Sequence, residues 1–211
     1  MPLYKTITIN KNTKALIWKV EESLEALSEG ISLSGHCQKR IDLMKSELHK
    51  RAFMSIRHLM ALEGFSDHDL YYDEKGKPHL KCEKHISISH SFEFTAIIIS
   101  SDSEVGIDVE KQRPKILKIA HRFTPIQEYR TLANDSAIIR KLTLVWCAKE
   151  ALYKIVAHKG LSFLHHIDVA DFSLGEDDTT TAIVSYEGNL SNYIIAFIEF
   201  EDFACVYALQ N

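Results

Sequence analysis

Residues that staple or interrupt a chain are scarce here: four cysteines, four prolines and eight glycines in 211 residues. Cys37, Cys82, Cys147 and Cys205 stand far apart with no CxxC pair, which excludes a zinc ribbon, a redox dithiol and a dense disulfide scaffold and leaves reduced thiols. His85, His165 and His166 offer no HExxH or HxxxH spacing, so zinc catalysis has no support. The strongest apolar run, Ala96-Ile97-Ile98-Ile99, is far too short to cross a bilayer, and MPLYKTITINKNTK lacks the long apolar stretch of a signal peptide. The expected setting is therefore the cytoplasm, with no membrane partner.

Positive charge is missing from the end of the chain. No Lys or Arg follows Lys159, and residues 160–211 hold nine acidic side chains, whereas residues 111–159 hold 11 basic and three acidic ones. The net charge of -4 gives no reason to expect nucleic acid. The basic block could face a phosphate-rich ligand or an acidic protein, or could simply be solvated helix faces. With 45% hydrophobic and 26% charged residues, the chain is an ordinary folded one with a buried core.

Periodicity orders the elements. Leu3 to Ile9 alternates as a strand, and a helical pattern runs from about Ile17 to Leu27. Ile41, Met44, Leu48, Ala52, Ile56, Leu59 and Met60 predict one long helix stopped by Gly64. Tyr71 to Pro78 has turn chemistry, and strands are expected at 86–89, 95–100 and 104–109. A second long helix is expected from Asp135, read as its N-cap, to Gly160, and strands at 166–172, 179–185, 193–200 and 203–209 finish the chain. Strand, long helix and several strands thus occur once before about residue 107 and again after it. The fold class is α+β, with either two similar halves, 1–107 and 108–211, or one mixed sheet without internal symmetry.

Several segments carry chemistry. In Val105-Gly106-Ile107-Asp108-Val109-Glu110 the two carboxylates project to one strand face; an ordinary edge strand alternates in the same way. In Trp146-Cys147-Ala148-Lys149-Glu150-Ala151-Leu152-Tyr153-Lys154, Glu150 and Lys154 lie one helical turn apart, which a surface ion pair would also explain, although the apolar flanks favour a lined cleft. Should Glu150 meet Asp108 and Glu110, three hard oxygen donors could hold Mg²⁺. Ile86 to Ser91 ends in hydroxyls and His90, able to bind an anion, but no GxSxG elbow makes it a serine nucleophile. Gly76-Lys77-Pro78 is a turn with one cation, too short for a P-loop, and Arg51 lies on the first long helix beside Lys50 and Arg57, where solvated charges are the usual occupants.

The order of these segments is the specific signal: Gly76-Lys77-Pro78, Ile86 to Ser91, Gly106 to Glu110, Arg122-Phe123 with Glu128, Trp146 to Lys154, then Lys159-Gly160-Leu161-Ser162. Over about residues 40–163 the chain resembles a 4′-phosphopantetheinyl transferase of the Sfp type. The resemblance implies two similar α/β halves forming a pseudo-dimer within one chain, each a small antiparallel sheet packed on a long helix, with the active site in the cleft between them, in a protein that is usually a monomer. It implies transfer of phosphopantetheine from coenzyme A to a serine of an apo acyl or peptidyl carrier protein, in fatty-acid, polyketide or nonribosomal peptide synthesis, releasing adenosine 3′,5′-bisphosphate. On the matching positions, Asp108, Glu110 and Glu150 would hold Mg²⁺, with Mn²⁺ as an alternative. Glu150 would also be a candidate base, acting directly or through a metal-bound water, and Lys154 would sit at the diphosphate with Lys149 helping. Arg51, Lys77, Pro78, Ser89 and His90 would grip the nucleotide end. Carriers of this kind are acidic around the modified serine, which suits the basic block. Another Mg²⁺-dependent phosphoryl or nucleotide hydrolase, and a non-catalytic protein that binds coenzyme A or a carrier, are the competing readings.

Overall fold

The computed structural model describes residues 3–125 and 134–211, and the chain divides into two compact units, Met1–Asp102 and Ser103–Asn211. The architecture is α+β with antiparallel sheets. Among the described residues no helix is long and apolar enough to cross a membrane.

The first unit opens with β1 (Leu3–Thr8) and β2 (Thr13–Lys19), followed by α1 (Leu24–Ser28), α2 (Gly35–Leu43) and α3 (Glu47–Leu62). A small hairpin, β3 (Leu70–Tyr72) and β4 (Pro78–Leu80), turns through Gly76 at φ +84°, and β5 (His85–Ser91) and β6 (Phe94–Ser100) complete a sheet of order β1-β2-β6-β5. α3 lies on β2 and β6, burying Phe53, Ile56, Leu59 and Met60 with Leu16, Trp18, Ile97 and Ile99. Each such side chain removed from water stabilises the unit by about 1.5–3 kcal/mol.

Two helical expectations are corrected here. Ile17 to Lys19 belongs to a strand, because β2 runs between β1 and β6 and Ala15, Leu16, Ile17 and Trp18 are all buried; the helix starts only after Ser23, whose hydroxyl accepts the Ala26 N–H. The stretch 41–62 is broken after Leu43, where Met44 is extended and Ser46 caps a new helix by accepting the His49 N–H. Gly64, at φ +83°, does end α3, and Phe65 N–H returns to the Met60 carbonyl at 3.0 Å. Arg57 is not solvated. Only 2% exposed, it donates from Nε to Asp67 Oδ1 at 2.8 Å and lies over the Phe53 ring. Burial pushes the Asp67 carboxyl up, but the Ser34 N–H and the Arg57 charge outweigh it and hold the group below its ordinary value.

The second unit holds β7 (Val105–Lys111), α4 (Asp135–Val156), β8 (Ile167–Val169), β9 (Thr179–Tyr186), β10 (Asn189–Phe200) and β11 (Phe203–Gln210), in sheet order β7-β11-β10-β9-β8. Its start at Ser103, before the 107/108 boundary read from the sequence, follows from pairing: β7 is matched to β11 from Val105 to Lys111. α4 lies on β7 and β11. The N-cap of α4 is Asn134 rather than Asp135, its side chain accepting the Ala137 N–H at 3.0 Å, while Asp135 adds a negative charge in the first turn. The helix ends at Val156, short of Gly160, because Ala157 turns left-handed at φ 50°. Replacing Asn134 with Ala is expected to cost about 1 kcal/mol, measured as a lower urea midpoint with unchanged slope.

The two units share a connectivity. A strand precedes the long helix and pairs with the last strand, which pairs in turn with the one before it: β2-β6-β5 around α3, and β7-β11-β10 around α4.

Candidate active site

The site is built from β7 and α4. The strand Val105-Gly106-Ile107-Asp108-Val109-Glu110-Lys111 buries Val105, Ile107 and Val109 completely or nearly so, and Asp108 is only 5% exposed. Gly106 sets how near the helix comes. A Cβ at this position would stand 1.9 Å from the Ala151 carbonyl oxygen and 2.7 Å from its carbon, a separation that only glycine permits.

At that distance the polar face of α4 reaches the strand. Cys147, Glu150 and Lys154, spaced three and four apart, share a helix face. Lys154 Nζ donates to the Ile107 carbonyl and to Asp108 Oδ1, both at 2.8 Å. Glu150 is half-buried, and its pKa is raised to about 7, first by burial and then by the Asp108 charge, with Lys154 opposing and Glu110 adding to the rise. Cys147 is wholly buried and its thiol is pushed well up by burial and by Asp108 and Glu110, so it stays protonated. Asp108, Glu110 and Glu150 therefore feel one another, and their hard oxygens and shared negative potential fit a divalent cation chemically. Among the described residues, however, no three His, Cys, Asp or Glu side chains are drawn together as a ready metal-holding set.

Beside Glu110 opens a cavity of about 180 Å³. Lys111, Arg113 and Lys115 give it a basic rim, and Ile116, Ile119 and Trp146 an apolar wall. The Trp146 indole is braced by Phe123 at 5.1 Å and Phe163 at 5.5 Å between ring centroids, and Tyr153 packs on Phe163 at 5.6 Å.

Lys149 does something other than expected. Its ammonium is buried, donating to the carbonyls of Phe123 at 2.5 Å, Phe163 at 2.8 Å and Ile167 at 2.7 Å. It is bound into the protein rather than presented beside Lys154.

The remaining expected residues belong to the first unit. Arg51 on α3 donates to the Val20 carbonyl at 3.1 Å. Lys77 follows the Gly76 turn, its backbone N–H bonded to Asp73 Oδ1 at 2.9 Å, and Pro78 begins β4 opposite Tyr72. Ser89 is buried in β5, and the neighbouring His90 is exposed, with the His49 ring against it edge-on at 5.8 Å. His49 had no sequence signal, because only the placement of α3 against β5 brings it to His90. Glu128 lies outside the described residues.

A family model of the 4′-phosphopantetheinyl transferase superfamily matches residues 104–208, the whole β7–α4 site included. Through these residues the chain belongs to that superfamily. Among curated proteins, the chain is 31% identical over 113 residues to the 4′-phosphopantetheinyl transferase gsp of Aneurinibacillus migulanus, a stretch covering 53% of this chain and 45% of that one. It is 35% identical over 81 residues to the 4′-phosphopantetheinyl transferase psf-1 of Bacillus pumilus, covering 37% and 34%, and 36% identical over 94 residues to a 4′-phosphopantetheinyl transferase of Bacillus subtilis, covering 42% and 41%. The matched stretch is thus less than half the length of each of these relatives. Within the phosphopantetheinyl transferase region, Asp108, Glu110, Glu150 and Lys154 all lie inside the matched residues, and Gly106 is what brings their two elements together.

Proposed function

We propose that this chain transfers the 4′-phosphopantetheine arm of coenzyme A to a serine of an apo acyl or peptidyl carrier protein. The observation that carries the reading is the pairing of a half-buried carboxyl poised near neutral pH, Glu150, with a lysine one turn away that is already held against Asp108. With no ion bound, burial and the Asp108 charge hold this carboxyl at about 7, a stronger base than an ordinary glutamate with the same geometry, and a divalent cation on it would lower that value. Glu150 takes the proton of the carrier serine as its oxygen bonds to the phosphorus bearing pantetheine. The bond from that phosphorus to the bridging oxygen breaks, and adenosine 3′,5′-bisphosphate leaves with the bridging electrons. Lys154, fixed by Ile107 and Asp108, places a positive charge beside the oxygens on which negative charge builds.

Asp108, Glu110 and Glu150 would hold Mg²⁺ or Mn²⁺. When bound, such an ion neutralises diphosphate charge and aligns the reacting groups. In the first unit, Arg51, Lys77, Pro78, Ser89 and His90 would grip the nucleotide end, with His49 beside His90.

The test mixes the protein, coenzyme A, Mg²⁺ and several apo carriers and weighs the intact carriers, with and without chelator. A carrier heavier by one phosphopantetheine supports the reading, and its loss with chelator supports the metal. Consumption of coenzyme A with every carrier unmodified would make the protein a hydrolase, and binding without consumption a non-catalytic partner.

The basic rim Lys111, Arg113 and Lys115 suits an acidic carrier. Raising salt from about 50 to 500 mM is expected to lower kcat/KM for the carrier by about tenfold. A flat response removes the rim from recognition.

A further inference from the structure

α4 carries two lysines that are almost wholly shielded, Lys141 at 7% and Lys149 at 3% exposure. An ammonium has three N–H donors, and a charge kept away from water persists only where those donors are met. Lys149 meets all three on backbone carbonyls, at Phe123, Phe163 and Ile167. Two of those residues are the ones whose rings pack against Trp146. Trp146 in turn forms part of the wall of the cavity beside Glu110. The connection is thus continuous from the lysine, through the backbone of Phe123 and Phe163, to the indole that walls the cavity beside Glu110.

Lys141, two helical turns earlier, is the natural comparison. It too holds chain segments onto α4, donating to Asp171 Oδ1 at 2.7 Å and to the Phe172 carbonyl. The Phe172 ring packs at a tilt against Phe197, 4.3 Å between centroids, and does not line the cavity that Trp146 walls.

We propose that Lys149 is a positioning residue, which clamps the Phe123 and Phe163 segments onto α4 so that Trp146 is held in the cavity wall beside Glu110, and is not a ligand of coenzyme A. This rests on the transferase reading above and assigns the lysine a part in turnover rather than in coenzyme affinity.

The experiment uses a Trp18→Phe background, which leaves Trp146 as the sole tryptophan of the two, and compares Lys149→Met with Lys141→Met. Trp146 emission is recorded, and kcat and KM for coenzyme A are measured on a carrier that the background protein modifies. Lys149→Met is expected to red-shift the emission and lower kcat by about tenfold or more with KM for coenzyme A held within about twofold, because a displaced wall misplaces the reacting groups. Lys141→Met should lower the melting temperature and leave emission and kcat alone. A Lys149→Met protein with unchanged emission and a raised KM for coenzyme A would make the lysine a coenzyme ligand and overturn the proposal, as would unchanged emission together with unchanged kcat. Should Lys149→Met fail to fold, Lys149→Arg keeps donors in place while shifting them, and the same two readouts apply, with unchanged emission and kcat again overturning the proposal. Absence of transfer by the background protein refutes the transferase reading itself, and the emission shift then still decides whether the lysine holds the indole.

Discussion

Glu150→Gln should lose about 10² to 10⁴ of the transfer rate, the range over which removal of a positioned acid or base acts, and should remain folded. The side chain keeps its size and loses a charge that the fold disfavours. The sign of the pH effect follows from the raised pKa. In the unfolded chain the carboxyl titrates near 4.5 and in the folded protein near 7, so the folded state holds the proton more tightly. The stability that this group contributes is fully present below pH 4.5 and is lost as pH rises through 7. At roughly 1.4 kcal/mol per pH unit the loss would be on the order of 3 kcal/mol, and solvent reaching the half-buried group reduces it to about 1–2 kcal/mol. Glutamine has no such titration, so without divalent metal the variant should gain on the parent between pH 5 and pH 8 in urea unfolding. Full transfer activity in Glu150→Gln would remove the carboxyl from the mechanism, and a stability difference that does not change with pH would remove the burial argument.

Gly106→Ala is expected to do damage of the opposite kind, through shape instead of charge. The added carbon would fall 1.9 Å from the Ala151 oxygen. That atom is backbone in the middle of α4 and cannot rotate aside, so β7 and α4 must separate. Overpacking of this kind costs about 1–3 kcal/mol and occasionally more, and this contact belongs at the upper end because neither partner is a flexible side chain. Separation also pulls Asp108 and the Ile107 carbonyl away from Lys154 Nζ, now at 2.8 Å from each. Turnover should therefore fall even at temperatures where the variant stays folded. A variant within about 0.5 kcal/mol of the parent and equally active, a change no larger than an ordinary surface substitution, would show that the two elements can part without consequence.

What could be read from the sequence divides along physical lines. The strands around Asp108 and those at 179–185 and 203–209 stand close to where expected, whereas the strand expected at 166–172 is only Ile167–Val169 and the one expected at 193–200 begins earlier, at Asn189. β2 was not legible, because Ala15 to Trp18 is buried throughout and a continuous apolar run does not distinguish a central strand from a helix. The break before α3 turned on Ser46, a residue that sits equally well within a helix or at its cap until the backbone shows which. In the site, Glu150 and Lys154 were legible because helical spacing is local. The work of Gly106 was not, since a strand glycine shows its reason only when the helix that touches it is in place. Nor was that of Lys149: its acceptors lie 26, 14 and 18 residues away, and no pattern along the helix points to them.

The repeated connectivity has an arithmetic consequence. β2 and β7 occupy equivalent places, each next to the final strand of its own sheet. Where β7 carries Asp108 and Glu110, counting seven residues along β2 gives Leu16 and Trp18, both enclosed in apolar surroundings. β2 thus offers apolar packing where β7 offers acids, so among the described residues this strand position carries paired carboxylates in the second unit and core side chains in the first.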